Sequence, residues 1–407
     1  MIGPGGRIFG EPTVSPDESS FQVPNDDEAY YNSIYYKQHA SQLQPVPVGP
    51  PQAPLLLEQV VGADVVAGIV AAGKIAFHAA GDTGASKLPA IATEATVADA
   101  MTKDLQQPQT AAPAFFFHLG DVIYNFGEAE YYYDQFYEPF REYDRPIFAI
   151  AGNHDGICRY GADPNTPLAT TLSAFLRNFC AATPGPSPDS GGLLRSAMTQ
   201  PGVYFTLDAP FVSIIGLYTN VLEGPGVIST QGGKYPTLTD DQLHWLTAEL
   251  TRLREPVGKR TRAVVLACHH PPASADAKHG GAPGHAADID SACQQAGFWP
   301  DAVISGHAHL YQRFTRDTGQ RKTPYIVAGS GGHATTLPRG EIIGQAPLTW
   351  GQYTLVKDPI LHYGYLTLTS DWTQPAAPTL TIVFSAPANP AVGDTVTINL
   401  ATGQLSS

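Results

Sequence analysis

Seven side chains able to hold a metal ion recur in one repeated setting: an apolar run, a glycine or other small residue, then an oxygen or nitrogen donor. Phe115-Phe116-Phe117-His118-Leu119 leads into Gly120-Asp121-Val122-Ile123-Tyr124. Ile75-Ala76-Phe77-His78-Ala79-Ala80 leads into Gly81-Asp82-Thr83-Gly84, and Ile147-Phe148-Ala149-Ile150-Ala151 into Gly152-Asn153-His154-Asp155. Ala263-Val264-Val265-Leu266-Ala267-Cys268 precedes His269-His270-Pro271-Pro272, and Ala302-Val303-Ile304-Ser305 precedes Gly306-His307-Ala308-His309. The donors are Asp82, Asp121, Tyr124, Asn153, His269, His307 and His309. Oxygen and imidazole donors suit Fe, Zn or Mn, and the lack of thiolates argues against an iron–sulfur cluster. One carboxylate can bridge two cations, and Asp121 stands in the middle of the set. Two-metal hydrolytic sites hold their ions about 3.5–4 Å apart and clamp both oxygens of a displacement. Tyr124 narrows the chemistry. A phenol, whose ordinary pKa is about 10, becomes a ligand near neutral pH only beside a strongly acidic ion, for which Fe(III) is the obvious choice.

Such donors act together only if the elements before them converge. Short apolar runs bounded by glycine read as buried strands, and α/β sheets bind ligands at their strand C-termini. Thr239-Asp240-Asp241 caps a helix carrying Leu243, Leu246, Leu250 and Leu253, expected to pack on the sheet before the Ala263 strand. Residues 202–207 and 211–216 read as an antiparallel pair around Asp208-Ala209-Pro210. Residues 183–192 read as a loop or an insertion. Residues 363–370, 379–384 and 395–400 are further β-type runs. The first 55 residues, rich in Pro, Gln, Ser and Asp, read as an N-terminal arm whose Tyr30–Tyr36 cluster packs on the body; residues 56–407 form the catalytic domain.

Composition sets the limits. The chain has 407 residues, 43% hydrophobic and 15% charged, enough for a full globular core. Its 40 glycines and 36 prolines forecast long irregular loops. A formal charge of −14 argues against a broad nucleic-acid or anionic-membrane surface, so an anionic substrate needs a locally positive site. Bound metal ions would supply one. No apolar run reaches the roughly 18 residues of a membrane span, since Val60–Phe77 carries Asp64 and Lys74. The N-terminus lacks the hydrophobic segment of a secretory signal, and Cys158, Cys180, Cys268 and Cys293 read as free thiols, with a Cys158–Cys180 pair as the alternative. The default location is cytoplasmic, with a secreted or periplasmic one left open. Oligomeric state is not encoded in these features.

The five motifs, in this order, resemble those of the calcineurin-like metallophosphoesterases. The Tyr three positions after Asp121, together with His309-Leu310-Tyr311-Gln312-Arg313, is most similar to the purple acid phosphatases. The resemblance covers roughly Lys74 to Gly332. It implies a four-layer α/β/β/α sandwich with a dinuclear metal site at the strand ends. It also implies that Asp82, Tyr124 and His309 hold a ferric ion, that Asn153, His269 and His307 hold a divalent Fe, Zn or Mn, and that Asp121 bridges them. His154 is implied as a catalytic residue facing the substrate phosphate, and His279 as a second one. The expected reaction is hydrolysis of a small phosphomonoester by a metal-activated hydroxide, with a phosphodiesterase acting on a cyclic nucleotide or lipid head group, and a non-catalytic binding protein on the same fold, as alternatives. The chain departs from the family in Leu266, where Val is usual, and in having no counterpart of the plant enzymes' N-terminal β-sandwich.

Other residues have plainer readings. His78 and His118 read as strand core or as support for the ligands, and residues 130–137 as aromatic packing. His270 sits either behind the site or along it. Gly329-Ser330-Gly331-Gly332-His333 reads as a strand-end turn, because no Lys-Ser/Thr follows, and His333 is within reach of the pocket. Substrate preference is expected in the loops around 127–137, 183–196 and 274–287.

Overall fold

A computed structural model describes residues 53–85, 88–108, 110–124, 127, 129–156, 171–219, 226–230, 239–255, 259–319 and 321–407. The N-terminal arm, its Tyr30–Tyr36 cluster and Cys158 lie outside the described residues. Cys180, Cys268 and Cys293 are free thiols.

The strands are β1 (Leu55–Leu56), β2 (Lys74–Ala80), β3 (Phe116–His118), β4 (Ile147–Ala149), β5 (Phe205–Ala209), β6 (Val212–Gly216), β7 (Ala263–Cys268) and β8 (Ala302–Ser305), then β9 (Tyr311–Asp317), β10 (Lys322–Ala328), β11 (Leu348–Trp350), β12 (Tyr353–Leu355), β13 (Tyr365–Asp371), β14 (Thr379–Ser385), β15 (Gly393–Asn399) and β16 (Leu405–Ser406). They form two sheets, ordered β1-β5-β6-β7-β8-β10-β9-β12-β11 and β16-β15-β14-β13-β2-β3-β4. The helices are α1 (Leu57–Val61), α2 (Ala63–Ala72), α3 (Leu88–Asp104), α4 (Asn153–Gly156), α5 (Ser173–Phe179), α6 (Asp241–Leu253) and α7 (Pro283–Ala296).

Side-chain alternation explains the layering. Along β7, Ala263, Val265 and Ala267 enter a core shared by the two sheets, while Val264, Leu266 and Cys268 enter the core beneath the helices. A strand buried on both faces needs a continuous apolar run, which is what the sequence has there. Phe77 of β2, Phe117 of β3, Ile304 of β8 and Leu368 of β13 meet in the inter-sheet core. Burying such a side chain contributes about 1.5–3 kcal/mol. On the outer faces, Val97, Ala98 and Met101 of α3 join the core around Phe116, and the leucines of α6 join that around Val264 and Leu266. The result is the expected α/β/β/α sandwich.

The helix expected over residues 243–253 and the antiparallel pair at β5 and β6 are both present. The late β-runs are present too: β13, β14 and β15 pair in succession, and β13 pairs antiparallel with β2, so they extend the sheet that carries β2, β3 and β4. Their alternating burial leaves Thr367, Thr369 and Thr381 on a half-buried outer face. One boundary differs from the sequence reading. The loop taken as running to residue 287 stops at Pro283, the first residue of α7, which Gly297 ends in the left-handed conformation. Pro at the start, Gly at the end, and Ile289, Ala292, Cys293 and Ala296 at helical spacing were the signal for it.

Candidate metal centre

All five sequence motifs arrive at one place. β2, β3 and β4 run parallel in one sheet, and β7 and β8 run parallel in the other. The loops after neighbouring strands are stitched together within each sheet: Leu119 N–H donates to Ala80 O at 2.8 Å, Asp82 N–H to Gly120 O at 2.9 Å and Gly306 N–H to His269 O at 3.0 Å, while His307 N–H, donating to Asp82 Oδ2 at 2.7 Å, ties one sheet's loops to the other's. Asp82, Asp121 and His307 each have a left-handed backbone, with φ of 58°, 53° and 68°. For residues other than glycine that conformation costs on the order of 1–3 kcal/mol, and such strain gathers at functional sites. It turns each side chain out of its strand and into the common space. Gly152 is a matter of clearance, since a Cβ there would overlap Asp121 and come within 2.7 Å of the His269 ring.

The donors fall into two groups sharing one atom. In the first, the Tyr124 hydroxyl lies 3.0 Å from Asp82 Oδ1, 2.8 Å from Asp121 Oδ2 and 3.2 Å from His309 Nε2. His309 Nε2 is 3.4 Å from Asp82 Oδ1. In the second, Asn153 Oδ1 lies 3.0 Å from His269 Nε2 and 2.9 Å from His307 Nδ1. His269 Nε2 is 3.4 Å from Asp121 Oδ2, the atom that also faces Tyr124. Ligand atoms of Asp121, His269 and His307 all lie within 4.8 Å of one another. The seven donors are buried.

The chemistry of this packing fits a cation. The single hydroxyl proton of Tyr124 faces three acceptor atoms and can satisfy one. His269 Nδ1 lies 2.8 Å from the Leu119 carbonyl, so in the neutral ring Nε2 turns a lone pair toward the Asn153 and Asp121 oxygens. Electrostatics agree. Burial and the Asp121 and Asp82 carboxylates push the Tyr124 phenol well above its ordinary pKa. Burial opposes a charge on His269, but Asp121 outweighs it and raises the imidazole to about 9. A proton therefore occupies the place a cation would take. Burial works against the Asp121 carboxylate as well, yet His269 and His154 hold it below the ordinary range.

Supporting groups surround the donors. The buried Asp155 carboxylate accepts from Val122 N–H at 3.0 Å through Oδ1 and from Gly152 N–H at 2.8 Å through Oδ2, tying the two ligand loops together. The sequence motif gives it no role of its own; a carboxylate two residues after the candidate donor Asn153 is the signal for it. His118 is core, as expected: Thr83 Oγ1 lies 2.9 Å from Nε2, and burial lowers the ring to about 3. His78 is likewise buried, 3.1 Å from Tyr143.

Both substrate-facing candidates reach the centre. The His154 N–H donates to Asp121 Oδ1 at 2.8 Å, and its ring centroid lies 4.3 Å from that of Tyr124. The His279 ring is 4.7 Å from His307 and 5.3 Å from His309. Its loop is fixed by Asp276 Oδ1, which accepts from the N–H groups of Lys278 and His279. Burial and His309 push the His279 pKa well below its ordinary value. His270 lies beside His307 at 4.4 Å, with Nδ1 2.8 Å from Thr219 Oγ1, so it lines the half of the centre formed by Asn153, His269 and His307. Residues 131 and 134–137 are buried packing, as expected. No helix among the described residues is long and apolar enough to cross a membrane.

Comparison with known proteins identifies the fold and the family. The structure resembles a purple acid phosphatase, PPD1 from yellow lupin (Lupinus luteus) seeds, with a TM-score of 0.52 and 15% identity, covering 80% of this chain. The chain spans 54% of the lupin protein. It also resembles GAP50, the anchor in the inner membrane complex of Plasmodium, with a TM-score of 0.56 and 12% identity over 81% of this chain and 90% of that one. At these identities the likeness establishes the fold. No curated protein matches the sequence. The calcineurin-like phosphoesterase profile matches residues 79–311, more than half of the chain and all five donor motifs. The chain belongs to the calcineurin-like phosphoesterase family, a family of metal-dependent phosphoesterases.

Proposed function

We propose that the protein hydrolyses a small phosphomonoester at a dinuclear centre of Fe(III) and a divalent Fe, Zn or Mn. The observation that carries this reading is the shared oxygen: Asp121 Oδ2 lies 2.8 Å from the Tyr124 hydroxyl and 3.4 Å from His269 Nε2. Asp82, Tyr124 and His309 hold one ion, Asn153, His269 and His307 the other, and Asp121 serves both. When bound, the ions supply Lewis acidity toward the phosphoryl oxygens and a water acidic enough to attack near neutral pH.

The protein's own groups orient the ester and manage its protons. His154, anchored by its backbone to Asp121, presents its imidazole to a phosphoryl oxygen. Burial holds the His279 pKa low, and an anionic ester entering beside it would raise it, letting the ring take a proton from solvent. It then donates that proton to the departing alkoxide. The reaction would need no phosphoenzyme, because a metal-activated water would serve as the nucleophile. Residues 56–407 act as one catalytic unit in this reading.

Metal analysis, a visible spectrum and ester hydrolysis test the proposal together. Iron and a broad phenolate-to-iron band, lost in Tyr124→Phe, support it. An active but colourless, iron-free protein removes Fe(III) and leaves other metals. Faster cleavage of bis-nitrophenyl phosphate than of the monoester replaces a monoesterase with a diesterase. Failure of the metal-replete protein to cleave either ester between about pH 4 and 9 replaces catalysis with binding.

A further inference from the structure

We propose that His333 is a positioning residue that clamps the Tyr124 ring in the orientation delivering its oxygen to the metal; this rests on the reading of Tyr124 as a ligand. The two rings stack face to face, with centroids 3.5 Å apart and planes 9° from parallel. His333 is itself held at two points. Its Nδ1–H donates to the Gly84 carbonyl at 2.9 Å, which fixes both tautomer and ring plane. Its backbone N–H donates to the Asp82 carbonyl at 3.0 Å.

The clamp depends on close contact between two loops. Gly331 N–H donates to Gly81 O at 3.0 Å, bringing the turn after β10 against the loop that carries Asp82. A Cβ on Gly332 would come within 2.7 Å of Thr83 O and 2.8 Å of Glu94 Cβ, so a larger residue there would push the turn, and His333 with it, off Tyr124.

The stack supplies something the backbone of Tyr124 does not. Gln135 fixes that backbone, accepting from Tyr124 N–H and donating to Tyr124 O, each at 2.7 Å. Those bonds leave χ1 and χ2 of the side chain free. His154 borders the ring at 4.3 Å but is tilted by 39°, and its backbone is committed to Asp121. The parallel His333 ring resists rotation of the phenol about χ2. A ligand already held in its bound orientation loses less rotamer freedom when the ion arrives.

The test uses the full chain with His333→Ala, His333→Phe and Tyr124→Phe. Zinc affinity is read by chelator competition, the iron-loaded spectrum by absorbance, and folding by thermal melting. His333→Ala is expected to weaken zinc binding about 10–100-fold, the range for loss of a group that orients a ligand, and to shift or broaden the visible band. His333→Phe keeps a flat ring and should recover most of both. Wild-type affinity and spectrum in His333→Ala would overturn the clamp, as would a His333→Phe no better than His333→Ala. A lowered melting temperature with unchanged affinity would leave His333 a structural residue only. If Tyr124→Phe binds metal as tightly as wild type, the ligand reading itself has failed; if Tyr124→Phe is weak while His333→Ala is normal, only the clamp has.

Discussion

Asp121 and Tyr124 meet at 2.8 Å, carboxylate Oδ2 to phenol oxygen, although they stand three residues apart on a segment without regular structure. In an extended strand, residues at that spacing point to opposite faces. The chain reverses them with left-handed residues at Gly120 and Asp121, φ 94° and 53°. Asp155 then holds Val122 N–H, and Gln135 holds Tyr124 N–H. The approach of the two oxygens is thus built into the turn. Asp121→Asn preserves its volume but removes the charge both donor groups face. Metal content after gel filtration should fall, with affinity reduced by more than about 100-fold, the upper end of what loss of an orienting neighbour costs. Full retention of two metals by this variant would contradict the bridging role.

Asp155 and Asp121 form a buried acidic pair with opposite tendencies. Burial, then the Asp121 charge, raises the Asp155 pKa, while Asp121 is held low by its histidines. An Asp whose folded pKa is raised destabilises the fold once pH climbs past the ordinary value of about 4, fully so above the folded pKa. In metal-stripped protein the contribution of Asp155 itself, read as the difference in stability between wild type and Asp155→Asn, should therefore become unfavourable as pH rises from about 4 toward neutrality, and added metal should offset it by neutralising Asp121. Asp155→Asn should narrow the gap in melting temperature between stripped and loaded protein. Equal gaps in variant and wild type would remove Asp155 from the account.

A proton donor for the leaving group is exposed by changing the leaving group. His279→Ala should slow hydrolysis of an alkyl phosphate about 100-fold or more, the lower range for general acid catalysis. It should affect p-nitrophenyl phosphate far less, because that phenolate departs without a proton. His154→Ala, which removes a contact to the phosphoryl group, should slow both esters alike. Matching kcat ratios for the two esters in His279→Ala would assign the proton to another group.

Far from the centre, Asp301 links β8 to two arginines. It is buried, receives Arg260 Nη1–H at 2.8 Å and Val264 N–H at 2.8 Å, and also contacts Arg321. Burial alone would raise its pKa, but Arg260 and Arg321 together lower it. A depressed carboxylate contributes stability that is complete above its unfolded value of about 3.9 and is lost as pH falls through the folded value. Asp301→Ala leaves the arginines without this counter-charge and should cost about 3–5 kcal/mol near neutral pH by urea denaturation. Its difference from wild type should shrink below about pH 3. A constant difference across that window would refute the ionic explanation.

Much of the molecule was legible because each cue was local. Phe115–Leu119 and Ala263–Cys268 are continuous apolar runs, and only a strand covered on both faces tolerates them. The leucines of α6 advertise their helix by spacing alone. The helix α3 was missed for the opposite reason: Ala, Thr and Glu interrupt its apolar positions, and its burial comes from Phe116 and its neighbours, far along the chain. His333 is similar. Glycines around it announced a turn, but nothing local announced a ring stacked on Tyr124.

The sequence by itself determined which side chains end the strands, because an apolar run terminated by a small residue and a donor is a local pattern, and five of them in order reinforce one another. Tertiary structure decided that those ends belong to two sheets, with Asp82, Asp121, Tyr124 and Asn153 following β2, β3 and β4, and His269, His307 and His309 following β7 and β8. Each strand records only what covers its faces, whereas the meeting of the donors depends on how the inter-sheet core aligns one sheet against the other. Phe77, Phe117, Val265 and Ile304 set that alignment. It places one oxygen of Asp121 within 3.4 Å of a histidine from the opposite sheet.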